Sequence, residues 1–200
     1  MIIKDKTIDG GKGFDWGRVS SEYAKYRDIY PKIFFQNILD LGLCKDGQKI
    51  LDLGTGTGVL PRNMYCYGGI WTGTDISEEQ IEQAKHLSAG MNIDYKAVAT
   101  EKIDFPAESF DVITACECFW YFDHESVMPN LYRMLKPGGM FLICNESSGD
   151  TDKDEKWTKI IDGMTIYKDV ELKAELEQAG FCDVQIHKNK WGWLCVTARK

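Results

Sequence analysis

The strongest constraint on this chain is the run Lys49-Ile50-Leu51-Asp52-Leu53-Gly54-Thr55-Gly56-Thr57-Gly58. Its first half is short, apolar and β-prone, the pattern of a strand buried on both faces. Its second half alternates three glycines with two threonines. Glycine reaches backbone angles that other residues resist, and without a side chain it lets a ligand lie against the main chain. A strand that enters such a turn predicts an open α/β sheet with a nucleotide-like ligand at the strand's C-terminal end. The spacing Gly54-x-Gly56-x-Gly58 brings the third glycine one position earlier than a dinucleotide fingerprint needs. No Gly-Lys-Ser/Thr follows, which excludes a P-loop.

The next apolar run, Ile70-Trp71-Thr72-Gly73-Thr74-Asp75, ends in a carboxylate about 20 residues beyond Gly54. That is the separation expected when the second strand lies beside the first. Two carboxylate oxygens match two vicinal hydroxyl donors, so Asp75 is suited to a ribose. Ile76 then offers an apolar surface to a base. Ser77, with Gln80 three residues on, predicts a capping box that starts the following helix.

Together with Phe105-Pro106-Ala107-Glu108-Ser109-Phe110-Asp111-Val112-Ile113 and Leu135-Lys136-Pro137-Gly138-Gly139, these segments resemble the class I S-adenosylmethionine-dependent methyltransferases over about residues 14–198. The resemblance implies S-adenosylmethionine as cofactor and S-adenosylhomocysteine as product. It places Asp52 near the methionine part, with Gly54, Thr55, Gly56 and Gly58 giving the backbone room to approach. It gives Asp75 the ribose and Ile76 the adenine. Many relatives carry an acid where this chain has Ala99, so Thr100 and Glu101 are left to hold the adenine. Cys116 stands at the edge of the same cleft. The resemblance also implies a lid over the cofactor, which makes Tyr26 and Arg27 candidates, the guanidinium matching a methionine carboxylate bidentately. Packing of the N-terminal aromatics on the sheet edge is an equal alternative.

Two hundred residues bury one substantial core, and the expected organisation is a single domain over 1–200, with a lid segment over 1–46 and a core over 47–200. Strands are expected near 49–53, 70–75, 93–98, 110–115, 139–145, 182–188 and 191–198, and helices near 59–67, 77–88, 124–135 and 169–179. A further helix capped by Ser20 or Ser21 is expected to end before Pro31. The expected fold is α/β and Rossmann-like: a doubly wound, mostly parallel seven-stranded sheet with a C-terminal antiparallel hairpin turned at Asn189-Lys190.

Candidates for the chemistry follow the fourth and fifth strands. Cys116-Glu117-Cys118-Phe119-Trp120-Tyr121-Phe122-Asp123-His124 suggests an aromatic wall for a flat or apolar acceptor, and Asn145-Glu146-Ser147-Ser148 adds polar groups. A sulfonium methyl is already activated, so alignment is the main requirement. Where the acceptor arrives protonated, Glu117, His124 and Glu146 are the candidate acid–base groups. No metal is needed, and Cys116-x-Cys118 reads as small pocket or core thiols more readily than as a soft-metal site.

The net charge of −7 disfavours nucleic acid and favours a small-molecule acceptor. Seven scattered cysteines without framework spacing, no membrane-length apolar run and no signal-peptide pattern point to a cytoplasmic protein with reduced thiols. Three other readings share these residues: a nicotinamide-dependent reductase, a non-catalytic S-adenosylmethionine-binding protein, and a methyltransferase acting on RNA or protein.

Overall fold

The structure, a computed structural model, describes residues 2–3, 30–146, 161–162, 169–188 and 193–200. Seven strands form one sheet: β1 (Lys49–Leu53), β2 (Ile70–Asp75), β3 (Asp94–Ala97), β4 (Phe110–Cys116), β5 (Leu135–Glu146), β6 (Cys182–Lys188) and β7 (Trp193–Arg199). Their order is β3-β2-β1-β4-β5-β7-β6. β1 to β5 are parallel, and β7 runs antiparallel between β5 and β6. Five helices accompany them among the described residues: α1 (Lys32–Asp40), α2 (Val59–Met64), α3 (Glu78–Leu87), α4 (His124–Met134) and α5 (Asp169–Gln178). A separate two-residue ladder pairs Ile2–Ile3 with Ile161–Asp162.

Alternation along the central strands sorts side chains between two cores. Leu51, Leu53, Ile113, Ala115, Phe141 and Ile143 face the side covered by α4 and α5. Ile50, Val112, Leu142 and Cys144 face the side covered by α1 and α2, where Ile38, Leu60 and Met64 meet them. Because both faces are covered, β1 and β4 read as continuous apolar runs instead of alternating ones. Asp52 and Thr114 interrupt those runs, and the interruption marks the site.

Three features depart from the expected elements. The α1 helix was not anticipated; Pro31 precedes it, and its apolar residues pack Phe34, Phe35, Ile38 and Leu39 against the sheet. The β5 ladder begins at Leu135 instead of 139, because the Pro-Gly pair is absorbed as a bulge. Gly138 has φ +77°, its N–H reaches Lys200 O at 3.0 Å, and the Lys200 N–H returns to Gly139 O at 3.0 Å. The capping box at α3 is half made. Ser77 Oγ accepts from the Gln80 N–H at 3.2 Å, but the Ser77 N–H goes to Asp75 Oδ1 at 2.9 Å. The hairpin of β6 and β7 is present, with its connection at 189–192 outside the described residues, as is the helix expected before Pro31. No helix among the described residues is long and apolar enough to cross a membrane.

Candidate functional site

The strand order reverses direction between β1 and β4, and a crevice opens there beyond the strands' C-terminal ends. One wall is the turn after β1, where Gly54, Gly56 and Gly58 all take positive φ, at 56°, 55° and 75°. Their reasons for being glycine differ. A Cβ on Gly54 would stand 2.6 Å from Cys118 Cβ, and one on Gly58 would collide with the Tyr95 hydroxyl. A Cβ on Gly56 would meet only Gln80 Oε1, at 3.9 Å. Two of the glycines therefore serve packing as well as backbone angle, and Gly56 alone of the three has room for a Cβ.

Asp52 lies beneath this turn and is buried. Its Oδ1 accepts from Thr114 Oγ1 and its Oδ2 from Thr55 Oγ1, each at 2.6 Å. Register explains the arrangement, since Asp52 is flanked by Thr114 on β4 and Gly73 on β2. A Cβ on Gly73 would approach Thr55 Oγ1 to 2.9 Å, so the glycine leaves room for that hydroxyl. Burial pushes the Asp52 carboxyl up to about 6, against the two hydroxyl hydrogen bonds that pull it down. Thr57 Oγ1, in the same turn, is buried with no hydrogen-bond partner. Sequence reasoning missed Thr114 and Tyr95; a hydroxyl within the apolar run Phe110–Cys116 was the available signal for the first.

Asp75 joins the turn to the next helix. Its Oδ2 accepts from the Gly56 N–H and its Oδ1 from the Ser77 N–H, both at 2.9 Å. The Ile76 N–H adds to these backbone donors, and a carboxylate's roughly four acceptor sites still leave room for a hydroxyl. Desolvation raises the Asp75 carboxyl above its ordinary value, partly offset by the backbone donors. Beside it, Ile76 is 71% exposed, a large apolar side chain left in the open next to a hydrogen-bonding carboxylate. Along the same edge Val98 donates to Asp75 O at 2.7 Å, and the chain then enters a 3-10 turn over Thr100–Lys102. Thr100 is buried. The Glu101 carboxylate takes the Asp123 N–H at 3.2 Å, at the start of α4, so one of its oxygens is engaged in the fold.

The opposite wall is the turn after β4. Glu117 adopts φ +58°, a left-handed conformation that costs a non-glycine residue, and its N–H donates to Cys144 O at 2.9 Å. Cys118 Sγ donates to Leu53 O at 3.1 Å and packs on Gly54, locking the two walls together. Cys116 hydrogen-bonds Cys144, which lowers its thiol, but burial and neighbouring negative groups leave it raised overall. Tyr30, stacked on Phe34 with centroids 4.3 Å apart, approaches this end of the sheet. Burial pushes its phenol well up, and Cys116, Glu117 and Asp52 add to the rise.

Other sequence candidates are placed differently. His124 is buried; its Nε2–H donates to Phe119 O at 2.9 Å, its Nδ1 lies 2.9 Å from Glu175 Oε2, and its ring stacks on Phe119. Nδ1 thus ties α4 to α5 and Nε2 ties it to the 3-10 turn Phe119–Tyr121, so both nitrogens of this acid–base candidate are engaged in the fold. The expected aromatic wall is also redistributed: Phe119 (1% exposed) and Trp120 (7%) belong to the core, while Tyr121 and Phe122 are half-buried. Glu146 ends β5 in register with Trp193. Tyr26 and Arg27 lie outside the described residues, as do Ser147 and Ser148.

Residues 51–143 match a family model described as a methyltransferase domain. The ubiquinone biosynthesis O-methyltransferase of Pseudomonas putida (strain W619) is 35% identical over 129 residues, covering 62% of this chain and 54% of that protein. The chain thus spans about half the length of the curated relatives it matches. Among solved structures, a methyltransferase of Thermotoga maritima aligns with a TM-score of 0.73 at 18% identity, over 92% of this chain and 98% of that one. Phosphoethanolamine N-methyltransferase 2 of Haemonchus contortus, solved with S-adenosyl-L-methionine, aligns with a TM-score of 0.67 at 18% identity, over 78% and 49%. At these identities the two solved structures show a shared fold.

Proposed function

We propose that this chain is a class I S-adenosylmethionine-dependent methyltransferase and that it transfers a methyl group from S-adenosylmethionine to a hydroxyl of a small-molecule acceptor, a reading supported by the methyltransferase-domain match and the O-methyltransferase relatives. The observation that carries the reading is the open ground over Gly56, bounded by the Asp75 carboxylate and the exposed Ile76. A backbone cradle, a two-oxygen acceptor and an apolar platform stand there in the order that methionine, ribose and adenine require. The orphaned Thr57 hydroxyl and the shielded Asp52 carboxyl add polar groups beneath the cradle.

In this reading Asp52, Gly54, Thr55, Gly56 and Gly58 hold the methionine part. Asp75 accepts from the ribose hydroxyls through its remaining lone pairs, and Ile76 covers the adenine beside Thr100 and Glu101. Cys116 closes the floor, and a lid that carries Tyr26 and Arg27 over the cofactor, from the chain before α1, completes the site. Bound there, S-adenosylmethionine supplies an activated sulfonium methyl. The work left to the chain is alignment and removal of one proton. Glu117 is the group we assign to that proton. Its left-handed backbone turns it at the end of β4, beside the locked wall of Cys118, and the hydrogen bond to Cys144 O holds the turn. Glu146, at the end of the neighbouring strand β5, is the second candidate.

Calorimetric titration with S-adenosylmethionine, S-adenosylhomocysteine and NADH tests the cofactor. Binding of the first two alone supports the reading, whereas NADH binding alone would replace it with redox chemistry. A screen of phenols and other hydroxyl compounds, reading out S-adenosylhomocysteine, then tests the acceptor. Turnover only with amines or with RNA would overturn the hydroxyl assignment.

A further inference from the structure

Three of the seven cysteines are neighbours in one row across the sheet. Cys116 on β4 is in register with Cys144 on β5, and Cys144 with Cys195 on β7. Cys144 Sγ lies 3.6 Å from Cys195 Sγ and donates to it. The remaining cysteines are dispersed: Cys66 and Cys182 are exposed, and Cys44 and Cys118 are buried. Among the described residues no group of three or more His, Cys, Asp or Glu could hold a metal ion, so the row is not a metal cage.

The ladder itself suits a cross-strand link. At the Gly138 bulge the Lys200 N–H donates to Gly139 O, which makes 139 and 200 a hydrogen-bonded pair. Pairs alternate along an antiparallel ladder, so Cys144 and Cys195, five positions on, form a non-hydrogen-bonded pair. Such pairs bring Cα atoms to about 4.5 Å, and bridged cysteines span about 4.4 to 6.8 Å. Both side chains share the face covered by α1 and α2.

We propose that Cys144 and Cys195 are a reversible redox pair that closes to a disulfide on exposure to a hydroperoxide and reopens with a dithiol. The Cys195 thiolate attacks one peroxide oxygen, the O–O bond breaks, and Cys195 becomes a sulfenic acid. Cys144 sulfur then attacks the Cys195 sulfur, the S–S bond forms, and the hydroxyl leaves as water with the Cys144 proton. Two thiols and one hydrogen peroxide thus give one disulfide and two waters. The order of attack follows from the geometry. Cys195 is half-buried and receives the Cys144 thiol hydrogen bond, which lowers it, whereas Cys144 is buried and raised by its bonds to Cys116 and Cys195.

Closure reaches the candidate site through Cys144. Its carbonyl holds the Glu117 N–H at 2.9 Å, and its thiol also bonds Cys116. Linking it to Cys195 removes that thiol proton and with it the hydrogen bond to Cys116. The pair stands independently of the methyltransferase reading, because its test follows thiols and not turnover.

The full chain, reduced and freed of reductant, is treated with hydrogen peroxide, unfolded, alkylated with iodoacetamide and weighed intact and as peptides. The expected result is loss of two of seven alkylatable thiols, a linked pair of peptides carrying residues 144 and 195, and recovery of all seven after dithiothreitol. Cys195→Ser should abolish the link and leave Cys144 alkylatable, and Cys144→Ala should do the same from the other side. Peroxide that oxidises exposed Cys66 while leaving Cys144 and Cys195 free would overturn the proposal. So would a link between any other pair, or loss of two thiols in both variants.

Discussion

Replacing Asp52 with asparagine should stabilise the ligand-free protein at neutral pH while weakening cofactor binding. The magnitude follows from the site. A carboxyl held at about 6 instead of its ordinary 3.8 binds its proton more tightly in the folded state. At about 1.4 kcal/mol per tenfold in proton affinity, its ionisation costs the fold about 3 kcal/mol. The sign is that of a raised group: its favourable contribution is complete below the unfolded value, near 3.8, and is lost as the pH rises through about 6. Asparagine has the same shape and no charge to desolvate, and the hydroxyls of Thr55 and Thr114 can turn to meet its amide. Weaker hydrogen bonds to the neutral amide take back part of the gain. We expect about 1–3 kcal/mol at pH 7.5, or about 5 °C in a domain of this size. Urea unfolding of both proteins at pH 4.5, 6 and 7.5 measures the difference, which should shrink towards the acid end. An advantage of equal size at all three pH values, or none at pH 7.5, would refute the burial argument.

Other substitutions separate binding from folding and from chemistry. Asp75→Ala should weaken S-adenosylmethionine binding about tenfold or more in calorimetry while leaving a folded protein, since two charge-assisted hydrogen bonds are lost; unchanged affinity would remove the ribose assignment. Gly58→Val should lower the melting temperature by driving a side chain into Tyr95, whereas Gly56→Val should chiefly abolish binding; normal binding in the second variant would contradict the cradle. Glu117→Gln should reduce kcat about 100-fold or more with little change in S-adenosylmethionine affinity, and equal losses in both would assign Glu117 to binding. His124→Gln should cost about 1–3 kcal/mol in denaturant and leave kcat/KM nearly intact, because one ring nitrogen holds α5 and the other the 3-10 turn at Phe119.

The elements and the turns that border the candidate site at β1 and β2 were legible because they depend on local chemistry. Apolar runs, glycine turns and helix caps are short-range signals, and Asp52, the three glycines and Asp75 occupy positions set by chain direction along β1 and β2. α1 was not legible, since an N-terminal aromatic such as Phe34 reads equally well as lid or as packing; only the sheet beneath it makes Lys32–Asp40 a core helix. Phe119 and Trp120 were misjudged for the same reason, because an aromatic run carries no mark of which rings turn inward. His124 reads as a base in the sequence, where nothing shows that Glu175, 51 positions on, meets its ring once α5 packs beside α4.

By itself, then, the sequence determined a doubly wound α/β sheet and the chemical character of the turns that end β1 and β2. The tertiary structure alone decided which glycine has room beside it, how Asp52 comes to be raised, and which thiols meet. Those properties depend on register between strands far apart in the chain: Thr114 beside Asp52, Tyr95 over Gly58, and Cys195 against Cys144. Periodicity within a strand says which face a residue takes, but not which neighbour waits on that face.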